Sequence, residues 1–276
     1  MGFAVIGDRG MFGSEMVEFL TNQGRQVKGF NRRSIHLNAS FDELAKRLQN
    51  FDVVINALAY TAVDKAESEP ELANLVNGEY AGKLARAAKT VGAKFMHVST
   101  DYVFDGSNTN PYRTSALTKP QSIYGSSKLL GENLVAESGA NYTILRTAWL
   151  YGKHGRCFPK DIFEKASNLK PIRVVNDQFG QPTWTKDLAR QVLAFADLDD
   201  APKIVHAVSS GRTSWFEFAK EIVGAYPIEP VSSSEFVTAA KRPRYSVLDN
   251  SCDLVQPIRD WRERWRVAKP DILAMN

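Results

Sequence analysis

The chain opens on an apolar run, Phe3-Ala4-Val5-Ile6-Gly7, and similar runs recur at 52–59 (Asp-Val-Val-Ile-Asn-Ala-Leu-Ala), 94–99 (Lys-Phe-Met-His-Val-Ser) and 142–146 (Tyr-Thr-Ile-Leu-Arg). Each is too short for a helix and ends at a polar or glycine-bearing turn, which predicts buried parallel strands. Residues 26–30 read as the second strand of the series. Between the strands the apolar spacing becomes helical. Residues 14–23 carry Met16, Val17, Phe19 and Leu20, residues 41–49 and 71–91 behave alike, and 81–88 is rich in helix formers. Strand and helix alternating from the first residues predict an α/β fold, a Rossmann-type doubly wound parallel sheet with right-handed crossovers.

After about residue 150 the rhythm changes. Residues 172–175 and 204–208 still read as strands, but loops lengthen and aromatic residues become frequent. Residues 214–225, opening on Ser214, read as a capped amphipathic helix, and 260–267 carries two tryptophans among arginines. The expected division is one large domain over 1–150, with 171–208 returning to it in part, and a smaller C-terminal domain made mainly of 151–276.

Composition narrows the class. Of 276 residues 43% are hydrophobic and 24% charged, enough for a sizeable core. No run of about 18 apolar residues appears, and the first residues lack the pattern of a signal peptide. The net charge of +4 is scattered, apart from Arg32-Arg33 and Lys241-Arg242-Pro243-Arg244. Nucleic acid would need a denser stripe, whereas a small anionic substrate suits a mildly basic protein. Cys157 and Cys252 form neither a metal spacing nor a disulfide framework, and His36, His97, His154 and His206 form no metal spacing either. The expectation is a cytoplasmic protein with no membrane or nucleic-acid partner and no metal site.

Gly7-Asp8-Arg9-Gly10-Met11-Phe12-Gly13 lies between the first strand and the first helix. In a G-x-x-G-x-x-G loop one glycine makes the tight turn, one lets backbone approach a pyrophosphate, and one lets helix and strand pack. The helix N-terminus then offers free N–H groups and partial positive charge to phosphate. This makes 1–150 the NADP-binding domain and 151–276 mainly the substrate-binding one. The second strand runs into Asn31-Arg32-Arg33, where NAD-preferring sites usually hold an acidic residue. Arg32 suits a 2′-phosphate, which predicts NADPH with NADH as the alternative; a solvated surface pair is the plainer role for these arginines.

Tyr124-Gly125-Ser126-Ser127-Lys128 reads as the start of a helix, with the phenol and the ammonium on one face. A nearby ammonium favours phenolate, so the pair is expected to bring the phenol below its usual value of about 10 and let it give a proton to a carbonyl oxygen. Y-x-x-x-K alone is common as a surface pair. Here Ser99-Thr100-Asp101 also follows a strand, at the end where such sheets place ligands. A hydroxyl there can bond the substrate carbonyl or the phenol, or simply cap a turn. No Gly-x-Ser-x-Gly elbow competes with this centre.

These stretches together resemble the extended short-chain dehydrogenase/reductase family, and within it the dTDP-4-dehydrorhamnose reductases. The resemblance extends through 56–67 (Asn-Ala-Leu-Ala-Tyr-Thr-Ala-Val-Asp-Lys-Ala-Glu), 98–106, 124–128 with Leu-Leu-Gly-Glu after it, 146–152, 177–183, and Arg242-Pro243 with 246–248. It implies reduction of the C4 ketone of dTDP-4-dehydro-L-rhamnose to dTDP-L-rhamnose. Tyr124 is then the proton donor, Lys128 its partner and a cofactor ligand, and Thr100 the hydroxyl that adjusts the tyrosine. Thr100, Asp101, Tyr124 and Trp149 hold the nucleotide sugar. Gly7, Gly10, Met11, Phe12, Gly13, Arg32, Ala59, Tyr60 and Thr61 line the cofactor. Trp149 offers a flat apolar face to a sugar, or else packs at the domain junction.

The chain departs from the family pattern at three places. Residues 35–40 (Ile-His-Leu-Asn-Ala-Ser) carry no carboxylate where the family often has one near the adenine. Cys157 stands where the family has asparagine. Glu15 resembles one ligand of a magnesium site through which some relatives dimerise, with no other ligand identified, so Mg2+ is unsupported and a homodimer is left open. Three alternatives remain: a ketoreductase of another deoxysugar, a non-catalytic NADP-binding regulatory subunit, and a redox-sensing regulator. The last two have no need of Thr100, Tyr124 and Lys128 together.

Overall fold

A computed structural model describes residues 1–274. Five strands follow the sequence rhythm: β1 (Gly2–Ile6), β2 (Gln26–Phe30), β3 (Val53–Asn56), β4 (Lys94–Thr100) and β5 (Tyr142–Thr147). A sixth, β6 (Ile204–His206), completes the sheet in the order β6-β5-β4-β3-β1-β2, with every pairing parallel. The period-two geometry of β1 sends Ala4 and Ile6 into one core and Phe3 and Val5 into the other. On the second face α1 (Met11–Asn22) brings Met16 and Leu20 against Leu188 and Val192. The first face takes α2 (Phe41–Leu48) and α3 (Tyr80–Thr90).

The helical pattern over 71–91 is not one α-helix. Pro70–Ala73 is α, Asn74–Glu79 is a π-helix, and α3 follows. Its wide turn packs against α4 (Ile123–Glu137) where side chains are absent. A Cβ on Gly131 would lie 2.2 Å from the Asn77 carbonyl oxygen, and one on Gly78 would lie 2.5 Å from Leu130. Single π turns inside helices commonly mark functional sites.

Beyond β5 the chain leaves the sheet and partly returns. Arg173–Val175 pairs with Glu229–Val231 outside the main sheet. In contrast α6 (Thr185–Ala196) packs on the sheet beside α1, and β6 extends it. The smaller layer is built from α5 (Phe158–Ser167), α7 (Trp215–Val223) and α8 (Trp261–Leu273) around Tyr151, Trp184, Phe218, Trp261 and Trp265. Ser214 caps α7 by accepting from Glu217 N–H, as its sequence predicts.

Candidate active site

Strand order reverses at β1, and the crevice at the carboxyl ends of β1 and β3 is where such a sheet holds a dinucleotide. Gly7 occupies it with φ of +91°, and a Cβ there would fall 2.8 Å from the Leu58 backbone nitrogen. A Cβ on Gly13 would lie 2.0 Å from the Gly7 carbonyl oxygen. Gly10 is the N-cap of α1 and provides no side-chain cap, so first-turn N–H groups remain free for phosphate. This bare, close-fitting cradle fits a pyrophosphate. Met11 borders the small-layer core. The Phe12 side chain is buried in the sheet core, which leaves its backbone to meet a ligand. Arg32 is exposed on the turn after β2.

Ala59, Tyr60 and Thr61 follow β3. The Tyr60 backbone is held at both ends by Asn77, whose Oδ1 accepts from Tyr60 N–H at 2.8 Å and whose Nδ2 donates to the Tyr60 carbonyl at 3.1 Å. Nδ2 also donates to Ser127 Oγ at 2.9 Å, tying this wall to α4. The Tyr60 phenol is engaged by Glu69 at 2.6 Å. Asn77 escapes sequence reasoning because it lies in the middle of an unremarkable helical pattern; only the π turn aims it inward.

Tyr124 and Lys128 stand on the first turns of α4. Ser122 caps the helix by accepting from Gly125 N–H at 3.1 Å, and Glu67 accepts from Ile123 N–H at 2.8 Å. A carboxylate at a helix N-terminus is favourable, and Glu67 thereby fixes the turn that carries the phenol. Lys128 is 2% exposed and donates to the Val98 carbonyl at 2.6 Å. Burial pulls its ammonium down to about 8, with Glu132 opposing.

The Tyr124 phenol moves opposite to the expectation from sequence. Burial pushes it up to about 12, Asp101 adds to that, and the Thr100 hydroxyl pulls it back. Lys128 turns its ammonium to the Val98 carbonyl. The phenol is therefore protonated at neutral pH, the state a proton donor needs.

Thr100 donates to Asp101 Oδ1 at 3.0 Å and accepts from Tyr102 N–H at 3.2 Å. Asp101 is 2% exposed, and burial raises its carboxyl to about 6 against the pull of the Ser246 and Thr100 hydroxyls. Ser246 Oγ is directed to the Phe179 carbonyl at 3.4 Å, and Asp101 Oδ2 is buried with no hydrogen-bond partner among the described residues. Ser99, whose hydroxyl was a candidate substrate contact, instead donates to Glu132 at 2.5 Å. Glu132 also receives Arg146 through both oxygens, at 2.6 to 3.2 Å.

Trp149, just beyond β5, has φ of +45°, costly for a non-glycine residue. Its ring lies 3.5 Å from Trp215, nearly parallel, and a Cβ on Gly180 would lie 2.4 Å from it. The ring is half-buried, so one face is fixed by Trp215. Glu15 is buried and accepts from Thr185 at 3.1 Å. Among the described residues no group of three or more His, Cys, Asp or Glu side chains is placed to hold a metal ion.

The glycine loop follows β1 and the Tyr60 wall β3, Thr100 ends β4 with Asp101 next, and Trp149 lies beyond β5. Parallel pairing therefore brings all of them to one edge of the sheet. The family described as RmlD substrate binding domain matches residues 1–273. A dTDP-4-dehydrorhamnose reductase of Streptomyces griseus is 42% identical, over 94% of this chain and 90% of that one. A probable dTDP-4,6-dihydroxy-2-methyloxan-3-one 4-ketoreductase of Streptomyces antibioticus is 37% identical, over 99% and 96%. The crystal structure of a dTDP-4-dehydrorhamnose reductase from Bacillus anthracis, in complex with NADP, superposes with a TM-score of 0.92 at 32% identity, covering 97% of this chain and 99% of that one.

Proposed function

The chain belongs to the RmlD substrate binding domain family, and from that premise we propose that it reduces the C4 ketone of dTDP-4-dehydro-L-rhamnose to give dTDP-L-rhamnose, with NADPH as reductant. The observation that carries this reading is the placement of the Tyr124 phenol beside Thr100 and Asp101, one helical turn from the buried Lys128, at the same sheet edge as the glycine loop.

When bound, the nicotinamide supplies a hydride. The chain's own residues do the rest. The glycine loop and the N-terminus of α1 hold the pyrophosphate, and Arg32 suits the 2′-phosphate. The backbone of 59–61, fixed by Asn77, walls the cofactor. Lys128 spends one proton on Val98 and keeps two for ribose hydroxyls. Tyr124 gives its proton to the carbonyl oxygen as that oxygen gains charge, with Thr100 beside it to stabilise the phenolate left behind. Asp101 Oδ2 accepts from a sugar hydroxyl, and the Trp149 ring covers an apolar face of the deoxysugar. The Streptomyces antibioticus relative supports a second reading, a ketoreductase of a different dTDP-linked ketosugar using the same residues.

The test is to follow NADPH absorbance with dTDP-4-dehydro-L-rhamnose and identify the product by NMR. Oxidation with formation of dTDP-L-rhamnose is expected. Tyr124→Phe is expected to lose about 100-fold or more in turnover while keeping NADPH affinity. Turnover only with another ketosugar selects the second reading. NADPH binding without turnover on either selects a regulatory role.

A further inference from the structure

Asn31 stands where dinucleotide-binding sheets usually carry an acidic residue after the second strand. The structure brings a carboxylate to that place from the glycine loop. Gly7 and Asp8 N–H both donate to the Phe30 carbonyl, at 2.7 and 3.3 Å, so the loop is laced onto the end of β2. The Asp8 side chain then lies over Gly29, where a Cβ would fall 2.5 Å from Asp8 Oδ2 and 2.6 Å from its Cβ. Only glycine at 29 leaves room for it. Asn31 Nδ2 reaches Oδ2 at a long 3.5 Å, and Oδ1 is buried with no hydrogen-bond partner among the described residues.

A carboxylate has about four acceptor sites, and here they meet one weak donor. A ribose 2′-hydroxyl supplies a donor. A 2′-phosphate supplies like charge instead. We propose that Asp8 reads the adenosine ribose of the dinucleotide, accepting from the 2′-hydroxyl of NADH and opposing the 2′-phosphate of NADPH. Cofactor choice is then the balance between Asp8 on the loop and Arg32 on the turn beyond Asn31, and NADH is admitted as well as NADPH. This inference rests on the dinucleotide reading of the loop given above.

The experiment is isothermal titration of the full chain with NADPH and with NADH, for wild type, Asp8→Asn, Asp8→Ala and Arg32→Ala. Asp8→Asn keeps the shape and removes the charge; it is expected to tighten NADPH about tenfold and leave NADH nearly unchanged. Asp8→Ala is expected to tighten NADPH and weaken NADH by about threefold or more. Arg32→Ala is expected to weaken NADPH alone. The charge effect of Asp8→Asn shrinks as salt is raised. Equal changes for both cofactors in both Asp8 variants overturn the inference and leave Asp8 as a loop-packing residue. A wild-type chain that binds neither cofactor overturns the dinucleotide reading itself, and the inference with it. Thermal unfolding of each variant separates loss of fold from loss of binding, and the isosteric Asp8→Asn decides if Asp8→Ala does not fold.

Discussion

Tyr124, Asp101 and Lys128 are all poorly solvated, and burial drives each toward its neutral form. The phenol rises to about 12, the carboxyl rises to about 6, and the ammonium falls to about 8. For Asp101 the folded value lies above the unfolded one, so its contribution to stability is complete below about pH 4 and is lost as pH climbs through 6. Asp101→Asn should therefore be more stable than wild type at pH 8, by up to about 3 kcal/mol, with the gain vanishing near pH 4. Lys128 works the other way: its contribution is present above about 10.5 and lost as pH falls through about 8, so the two windows separate. Urea unfolding of both proteins at pH 4.5, 6 and 8 measures this, and a pH-independent difference would contradict the buried-carboxyl account. The residues with chemistry were legible in sequence because each motif is local: three glycines in seven residues, a tyrosine and lysine four apart. Asn77 and Glu67 were not, because their partners Tyr60 and Ile123 lie 17 and 56 residues away. The direction of the Tyr124 shift was also illegible, since it is set first by how deeply the fold buries the phenol.

At the scale of elements, α4 is fastened to the sheet by charge as well as by apolar packing. Glu132 sits one turn after Lys128, and its ion pair with Arg146 of β5 is 3% exposed on both sides. Ser99 of β4 adds a third contact. Removing one partner leaves the other charge buried and bare, so Glu132→Ala should cost about 3–5 kcal/mol. Glu132→Leu with Arg146→Met should recover most of that loss, because a buried pair replaced by apolar groups of like size is near neutral. Denaturant midpoints of the single and double variants test it; a double variant as unstable as the single would mean that the network does more than neutralise itself. The strands were readable as short apolar runs, and Gln26–Phe30 falls at its predicted bounds. The π turn was not readable, because its residues keep a helical spacing and only the approach of Gly131 to the Asn77 carbonyl reveals why the helix widens there.

At the scale of the molecule, one ion pair joins the segment after β3 to the C-terminal loops. Arg242 Nη2 lies 2.6 Å from Asp64 Oδ2, Nη1 lies 3.0 Å from Oδ1, and Ala240 N–H donates to the same carboxylate at 3.0 Å. The Arg242 guanidinium holds the Asp64 carboxyl below the usual carboxylate range. The two residues are 178 apart, so no pattern in the sequence pairs them. The partial return of 171–208 to the sheet was expected from its strand-like runs, of which 204–208 joins the sheet as β6 and 172–175 pairs elsewhere. Asp64 lies three residues beyond Thr61, and Arg242 precedes the 244–248 stretch that packs on Phe179 and Gln181. The pair thus fixes the spacing between the 59–61 segment and the loops facing the Trp149 ring. Either Asp64→Ala or Arg242→Ala should raise KM for the nucleotide sugar about three- to tenfold with kcat nearly unchanged, and the double variant should be no worse than either single. Because the carboxylate is partly exposed, about 0.5 M salt should erode the wild-type advantage in the same direction. Steady-state kinetics on the four proteins close the cycle. Single effects that multiply would mean that the two side chains act separately, whereas a saturating double variant means that the spacing of the site is set by their contact.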